Sequence, residues 1–230
     1  MRTSDRHLIR GFPIFRGVSD AMFDRMTLRA EIFDVDPGEV LLKEGEEPRF
    51  LFVLLNGLVE AYAAHGGVDA TLSFIRPPGA FIVAAVWTGQ VQLTSVRVVR
   101  RSRLLRLPAG EVRDAIAADA AVASAVGLEL AIRYRDILRE LKNQRMRSAT
   151  ERLANWLLVE SEVAGSASFR LEIGKALLAA RLGMASEHLS RAFATLRDHG
   201  VSMTGNDVTI DRDALARFAK PSVLMDGHDI

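Results

Sequence analysis

Glu187, Ser190 and Arg191, in the last third of this 230-residue chain, have the types and spacing of a surface that reads base edges. At i, i+3 and i+4 of a helix, their side chains point the same way. Arginine can bond guanine O6 and N7 with both arms, glutamate can accept from cytosine N4, and serine suits a base edge or a phosphate. The same Glu–Arg spacing also makes an ordinary surface ion pair worth about 0.3–0.5 kcal/mol. The spacing alone leaves both readings open, and the surrounding elements weigh between them.

The three residues sit on a helix predicted over Ser186–His199, whose exposed first turns are Ser186, Glu187, His188, Ser190 and Arg191. A second helix, Glu172–Arg181, precedes it across Leu182-Gly183-Met184. A helix-turn-helix needs a small residue where the helices cross, a glycine at positive φ in the turn, and apolar residues that lock the pair. Ala179 stands four residues before Gly183, and Leu178, Leu182, Met184, Leu189 and Ala192 supply the core. Two β-prone runs within Val201–Ile210 flank a Gly205-Asn206-Asp207 turn and predict a hairpin, or wing. One more helix is expected on each side, at Thr150–Val159 and Arg212–Lys220. A helix-turn-helix with a wing favours base readout over the ion pair, although a plain helical hairpin that binds protein remains the alternative. Phosphate contacts would come from Lys175, Arg181 and Arg197 in or near the pair, or from Arg145, Arg147 and Arg152 upstream. The DNA-binding set expected is Ser186, Glu187, Ser190, Arg191, Lys175 and Arg197.

Those elements need a platform. Ala123, Gly127, Leu130, Tyr134, Ile137 and Leu141 are spaced 4, 3, 4, 3, 4, which is a heptad seam on one long helix. Leu128, Ala131, Arg135 and Leu138 form a stripe beside it, expected to pack on the preceding domain. Periodicity allows a helix buried in its own domain or the helix of a parallel homodimer, and the two stripes favour the homodimer. Before it, apolar alternation recurs at Ile32–Val35, Phe50–Leu55, Leu58–Tyr62, Thr71–Ile75 and Leu93–Val99. Turn residues separate these runs at Asp36-Pro37-Gly38, Glu44-Gly45-Glu46, Asn56-Gly57, Gly66-Gly67 and Pro77-Pro78-Gly79. That pattern predicts an all-β domain, with a short helix at Ser19–Leu28 before it. Arg97, Arg100, Arg101, Arg103 and Arg106 read as a solvated face along two strands.

Composition narrows the function classes. There is no cysteine, which excludes disulfides, thiolate zinc sites and cysteine-ligated iron–sulfur clusters. With 30 Lys+Arg against 29 Asp+Glu the net charge is +1, so no general basic field announces DNA and recognition must rest on local placement. No targeting segment is recognisable, and the longest apolar stretch, Phe81–Trp87, falls far short of the roughly 20 residues of a membrane span. A cytoplasmic protein with no membrane partner is expected. No P-loop, nucleophile elbow or zinc-protease motif is present. A cupin-like catalyst would need clustered histidines on strands, and there are none, so no enzyme is expected.

A β domain, a long helix and a winged helix-turn-helix, in that order, resemble the CRP/FNR family of bacterial transcription regulators over about residues 8–220. Gly38–Glu46 resembles the family's β-roll signature, and Phe52–Val59 its next strand pair. Glu187-His188-Leu189-Ser190-Arg191 is similar to the FNR-type E-x-x-S-R reader, with Ser186 where the CRP type has its first arginine. The resemblance implies an α+β fold: a jelly-roll-like, cyclic-nucleotide-binding-like β-roll over 1–108, a dimerisation helix over 109–147, and a winged helix-turn-helix over 148–230. It implies a homodimer on a palindrome with TTGAT-like half-sites in double-stranded DNA, and contact with RNA polymerase if the protein activates.

The effector site departs from the family pattern. Val83 and Ala84 occupy the places of the Gly-Glu pair that holds the ribose of cAMP, and Gln92 and Leu93 those of the Arg-Ser pair that binds its phosphate. A phosphate in a half-buried pocket needs a charge-assisted donor, so no cAMP binding is expected. Phe81, Val83, Val86, Trp87 and Leu93, joined by Ile82 and Val91 and by Leu128 and Ile132 of the long helix, are the expected apolar wall of an effector pocket or a self-filled core. The strip Phe81–Thr88 resembles the nitric-oxide-responsive NnrR/DNR branch, for which haem is the implied sensor. Haem needs an axial ligand. Of His7, His65, His188, His199 and His228, only His7 stays a candidate once the turn, DNA-binding and tail histidines are set aside.

Overall fold

The computed structural model describes residues 3–226, and these fall into two compact units divided between Arg133 and Tyr134. The first opens with α1 (Thr3–Arg10) and α2 (Asp20–Thr27). The strands follow: β1 (Glu31–Val35), β2 (Val40–Leu42), β3 (Phe50–His65), β4 (Val68–Ile75) and β5 (Gly79–Phe81). Then come α3 (Val83–Thr88), β6 (Ser95–Pro108), α4 (Ala109–Ala118) and the start of α5 (Ala120–Met146). All pairings are antiparallel in the order β1-β6-β3-β4, with β2 also on β6 and β5 also on β3. Alternating apolar residues of β3 and β6, among them Leu51, Val53, Leu104 and Leu107, meet Phe15, Phe23 and Val112 in one buried cluster. This is the expected roll.

The strand boundaries differ from the sequence reading in two places. Asn56-Gly57 makes no hairpin; it is an irregularity inside β3, where the register against β6 shifts three times. Gly57 takes φ +105°, and a Cβ there would stand 2.6 Å from the Ser102 Cα of β6. A glycine is required by that close approach as much as by a turn, which is why the signal was ambiguous. The arginine run lies on the single strand β6 rather than on two. Leu93 belongs to the loop before it.

The 109–147 segment is two helices. Asp119 adopts an extended conformation, and its carboxylate accepts from the backbone N–H groups of Ala121 and Val122 at 2.8 and 3.2 Å, so it starts α5 afresh at a 114° bend. The stripe expected to cover the roll does not do so. Val122, Ala125, Val126 and Glu129 face inward, while Leu128 and Leu138 stay exposed. One polar residue interrupts the inward face: Glu129, paired with Arg133 at 2.9 Å.

The second unit holds the rest of α5, then α6 (Ala149–Val163), β7 (Ser168–Arg170), α7 (Lys175–Arg181) and α8 (Ser186–Leu196). It ends with β8 (Val201–Thr204), β9 (Asp207–Ile210), α9 (Arg212–Ala219) and α10 (Val223–Asp226). Ser148 and Glu151 form a reciprocal capping box at the start of α6. The hydrogen bond donated by the Ser148 N–H holds the Glu151 carboxyl below its usual range. Sequence placed the hairpin correctly but missed β7, which adds to β9 and makes a three-stranded wing. It also began α7 three residues early, because Gly174 caps the helix. Among the described residues no single helix is long and apolar enough to cross a membrane.

Candidate nucleic-acid interface

Helices α7 and α8 cross as a helix-turn-helix. Leu178, Ala179, Leu182, Leu189 and Ala192 are buried in the positions expected of them, joined by Phe193 and Leu196, and Met184 is half-buried. Gly183 takes φ +62° in the turn, with the Gln144 side chain packed against it. Helix α6 lies against α8 and α9 as the back of the motif.

With one side of α8 locked inward, Ser186, Glu187, Ser190 and Arg191 face solvent. Among the described residues the Glu187 and Arg191 side chains have no ion-pair or hydrogen-bond partner, so the surface pair that the spacing also allowed is not made. Ser190 Oγ donates to the Ser186 carbonyl at 3.1 Å, as a helical serine does when nothing else holds it. Ala185 caps α8 without a side-chain bond, which leaves the first N–H groups of the helix open to an anion.

The flank of this face is basic. Lys175, at the first position of α7, and Arg197, just after α8, border a shallow cavity of about 180 Å³ with Ser190 on its rim. Leu189, Phe193, Val201 and Met203 form its floor. The structure therefore brings Lys175, Ser190 and Arg197 together beside Glu187 and Arg191. It does not do so for Arg147, Arg152 and Arg181. Arg147 pairs with Asp226, Arg181 pairs with Glu140 at 2.9 Å, and Arg152 donates to backbone carbonyls. Burial pulls the Arg152 guanidinium below its usual pKa. Asp226, Leu182 and Glu140 lie 30 or more residues from the arginines they hold, and no local pattern could have revealed them.

The apolar strip of the roll splits. Because Val83–Thr88 is helical, Val83 and Val86 point inward with Phe81, while Ala84 and Trp87 point out. Leu93 is 77% exposed. Trp87 and Leu93 therefore do not join Phe81, Val83 and Val86 in one wall, and the buried three are part of the roll's own core. Gln92, in the place of the phosphate-binding arginine, donates its amide to Thr94 Oγ1 at 2.7 Å. Its backbone closes two bonds with the Gly45-Glu46 turn. The histidines do not fit haem in that core: His7 on α1 and His65 at the end of β3 are exposed, and His188 and His199 are in the second unit. His228 lies outside the described residues.

A ligand-domain roll leading by a long helix into a winged helix-turn-helix defines a class, the regulators that join a sensor domain to a DNA reader. Two family models bear on this: the cyclic nucleotide-binding domain matches residues 32–119, and the Crp-like helix-turn-helix domain matches residues 151–218. A crp/fnr-family transcriptional regulator from Eubacterium rectale superposes with a TM-score of 0.76 at 19% identity, covering 91% of this chain and 99% of that one. FixK2 from Bradyrhizobium japonicum superposes with a TM-score of 0.73 at 19% identity, covering 82% and 96%. By these matches the chain joins a cyclic nucleotide-binding domain to a Crp-like helix-turn-helix domain, and its fold is that of CRP/FNR-family transcription regulators. A curated relative, the potassium channel KOR1 of rice (Oryza sativa subsp. japonica), is 30% identical over 100 residues, 43% of this chain, but the match spans only 12% of that channel's length.

Proposed function

We propose that the protein is a homodimeric regulator that reads an FNR-like palindrome with TTGAT-like half-sites, through Glu187, Ser190 and Arg191. The observation that carries this is the face of α8. Among the described residues its two charged side chains have no partner, and it lies beside a cavity bordered by Lys175 and Arg197. Bases are read by Glu187, Ser190 and Arg191, while Ser186, Lys175, Arg197 and the open N-terminus of α8 hold phosphates. The dimer supplies two such helices for half-sites about one DNA turn apart. It is favoured by the heptad seam, on which Tyr134, Ile137 and Leu141 are 62%, 66% and 50% exposed in the single chain. Such a protein works in the cytoplasm with the DNA, and an activator also meets RNA polymerase.

The same reading gives the roll no cyclic-phosphate site. Gln92 replaces the arginine, and Arg97, the nearest arginine along β6, is held by Glu60 and Asp69 at 2.6 and 3.0 Å. Binding of cAMP or cGMP at micromolar concentration by calorimetry would overturn that part. A nitric-oxide response through haem has only the resemblance of the Phe81–Thr88 strip behind it. An absorption spectrum of protein from haem-replete cells, lacking a Soret band, is the expected result. Gel shifts against FNR-like and scrambled duplexes test the main reading. A complex on the palindrome alone supports it, and equal binding to both, or to neither, returns the hairpin to protein interaction.

A further inference from the structure

Helix α5 ends at Met146 and α6 is capped at Ser148, with Arg147 between them. The Arg147 side chain is only 5% exposed. Its Nη1 donates to Asn143 Oδ1 at 2.6 Å and to Asp226 Oδ1 at 2.5 Å, and Nη2 donates to Asp226 Oδ2 at 2.7 Å. Asp226, 13% exposed, also accepts from the Ser222 N–H at 2.7 Å, which folds Ser222–Asp226 around the pair. A two-point guanidinium–carboxylate pair fixes both partners in orientation, and separating it leaves a charge stranded away from water.

The contacts continue from this pair to the DNA reader. The Arg147 carbonyl accepts from Arg152 Nη1 at 2.8 Å, and the same guanidinium donates through Nε to the Leu182 carbonyl at 3.0 Å and through Nη2 to that of Gly183 at 3.4 Å. Leu182 and Gly183 are the turn between α7 and α8. These carbonyls lie at helix C-termini, where no intrahelical donor reaches them. Arg181–Glu140 and the packing of Gln144 on Gly183 tie the same turn to the last turns of α5.

We propose that Asp226 is a positioning residue for DNA binding: through Arg147 and then Arg152, the segment Ser222–Asp226 braces the turn that seats α8 against the end of α5. This rests on α8 as the DNA reader for its consequence, though not for its mechanics. In this arrangement Ser222–Asp226 seats the recognition helix through the turn before it, not through the exposed face of α8.

Hydrogen exchange on the free, full-length protein, compared with Asp226→Asn and with a chain ended at Lys220, tests the brace. The amides of Arg147–Ser148 and of Leu182–Met184 should exchange about tenfold faster in both variants, with the β8–β9 hairpin unchanged. Anisotropy titrations on the palindrome should then show several-fold weaker binding by both. Unchanged exchange in the turn overturns the proposal. So does a uniform acceleration that includes β8–β9, since that marks a residue serving general stability alone. If the wild-type protein binds no palindrome, the DNA reading falls, while the exchange pattern still decides whether the brace exists.

Discussion

Cationic side chains are prominent in two regions of the molecule, and the two use them in opposite ways. On β6, Arg106 faces Glu31 of β1 in direct register and bonds it, and Arg97 faces Glu60 of β3 and bonds it at 2.6 Å. Arg103 reaches Asp5 of α1 at 3.0 Å. The guanidinium groups of Arg97 and Arg106 also lie over the rings of Tyr62 and Phe50, at 4.4 and 4.7 Å. Around α8, Lys175, Arg191 and Arg197 have no such partners among the described residues. A run of arginines in a strand lies opposite whatever its neighbours bring, and here the neighbours bring acids. The first turns of α8 project away from the other elements. The dense cluster is therefore structural, and the sparse one is available to a ligand.

Removing Arg97 should have the largest effect. Its loss strands the fully buried Glu60 carboxylate with Thr71 as its remaining donor, so Arg97→Ala should cost about 3–5 kcal/mol of stability in denaturant unfolding. Arg191→Ala should leave stability unchanged and cost about 1–3 kcal/mol in specific binding, with poorer discrimination against a scrambled duplex. An intact preference would mean that α8 is no more a reader than β6. Lys175→Ala and Arg197→Ala should each weaken binding to all duplexes alike and lower the salt slope by about one, measured by titration across ionic strengths. Ser148→Ala should cost about 1 kcal/mol of stability by removing the cap of α6. Because the Glu151 pKa is depressed in the fold, the stability it adds through this box is complete at neutral pH. It is lost as pH falls below the ordinary carboxylate range. Arg101→Ala should change nothing measurable, since its pair with Asp36 is 3.9 Å long and wholly at the surface.

What could be read from the sequence follows the range of the interactions. The buried set Leu178–Ala192 and the wing hairpin rest on contacts between near neighbours, and periodicity or turn chemistry exposes such contacts. That Glu187, Ser190 and Arg191 share one exposed face of α8 follows from the same helical spacing. Where partners are distant the sequence is silent. It offered Arg147, Arg152 and Arg181 as phosphate contacts on proximity alone, with no sign that Asp226, three carbonyls and Glu140 would take them. The strip Phe81–Trp87 misled differently. Its residues are apolar throughout, so no period showed that Val83–Thr88 would coil and turn Trp87 outward. Asp119 was likewise unmarked, being one acid among alanines until its extended backbone divides the helix.

The surroundings of the seam change along α5. Ala123 and Leu130 pack on the roll's core, whereas Tyr134, Ile137 and Leu141 are exposed. In the dimer proposed above, these three exposed residues are the part of the seam open to a partner helix. Their bulk would then space the paired helices. Trimming Tyr134 or Ile137 would act as a change of gauge, altering which half-site separation the dimer fits while every base-reading residue stays in place.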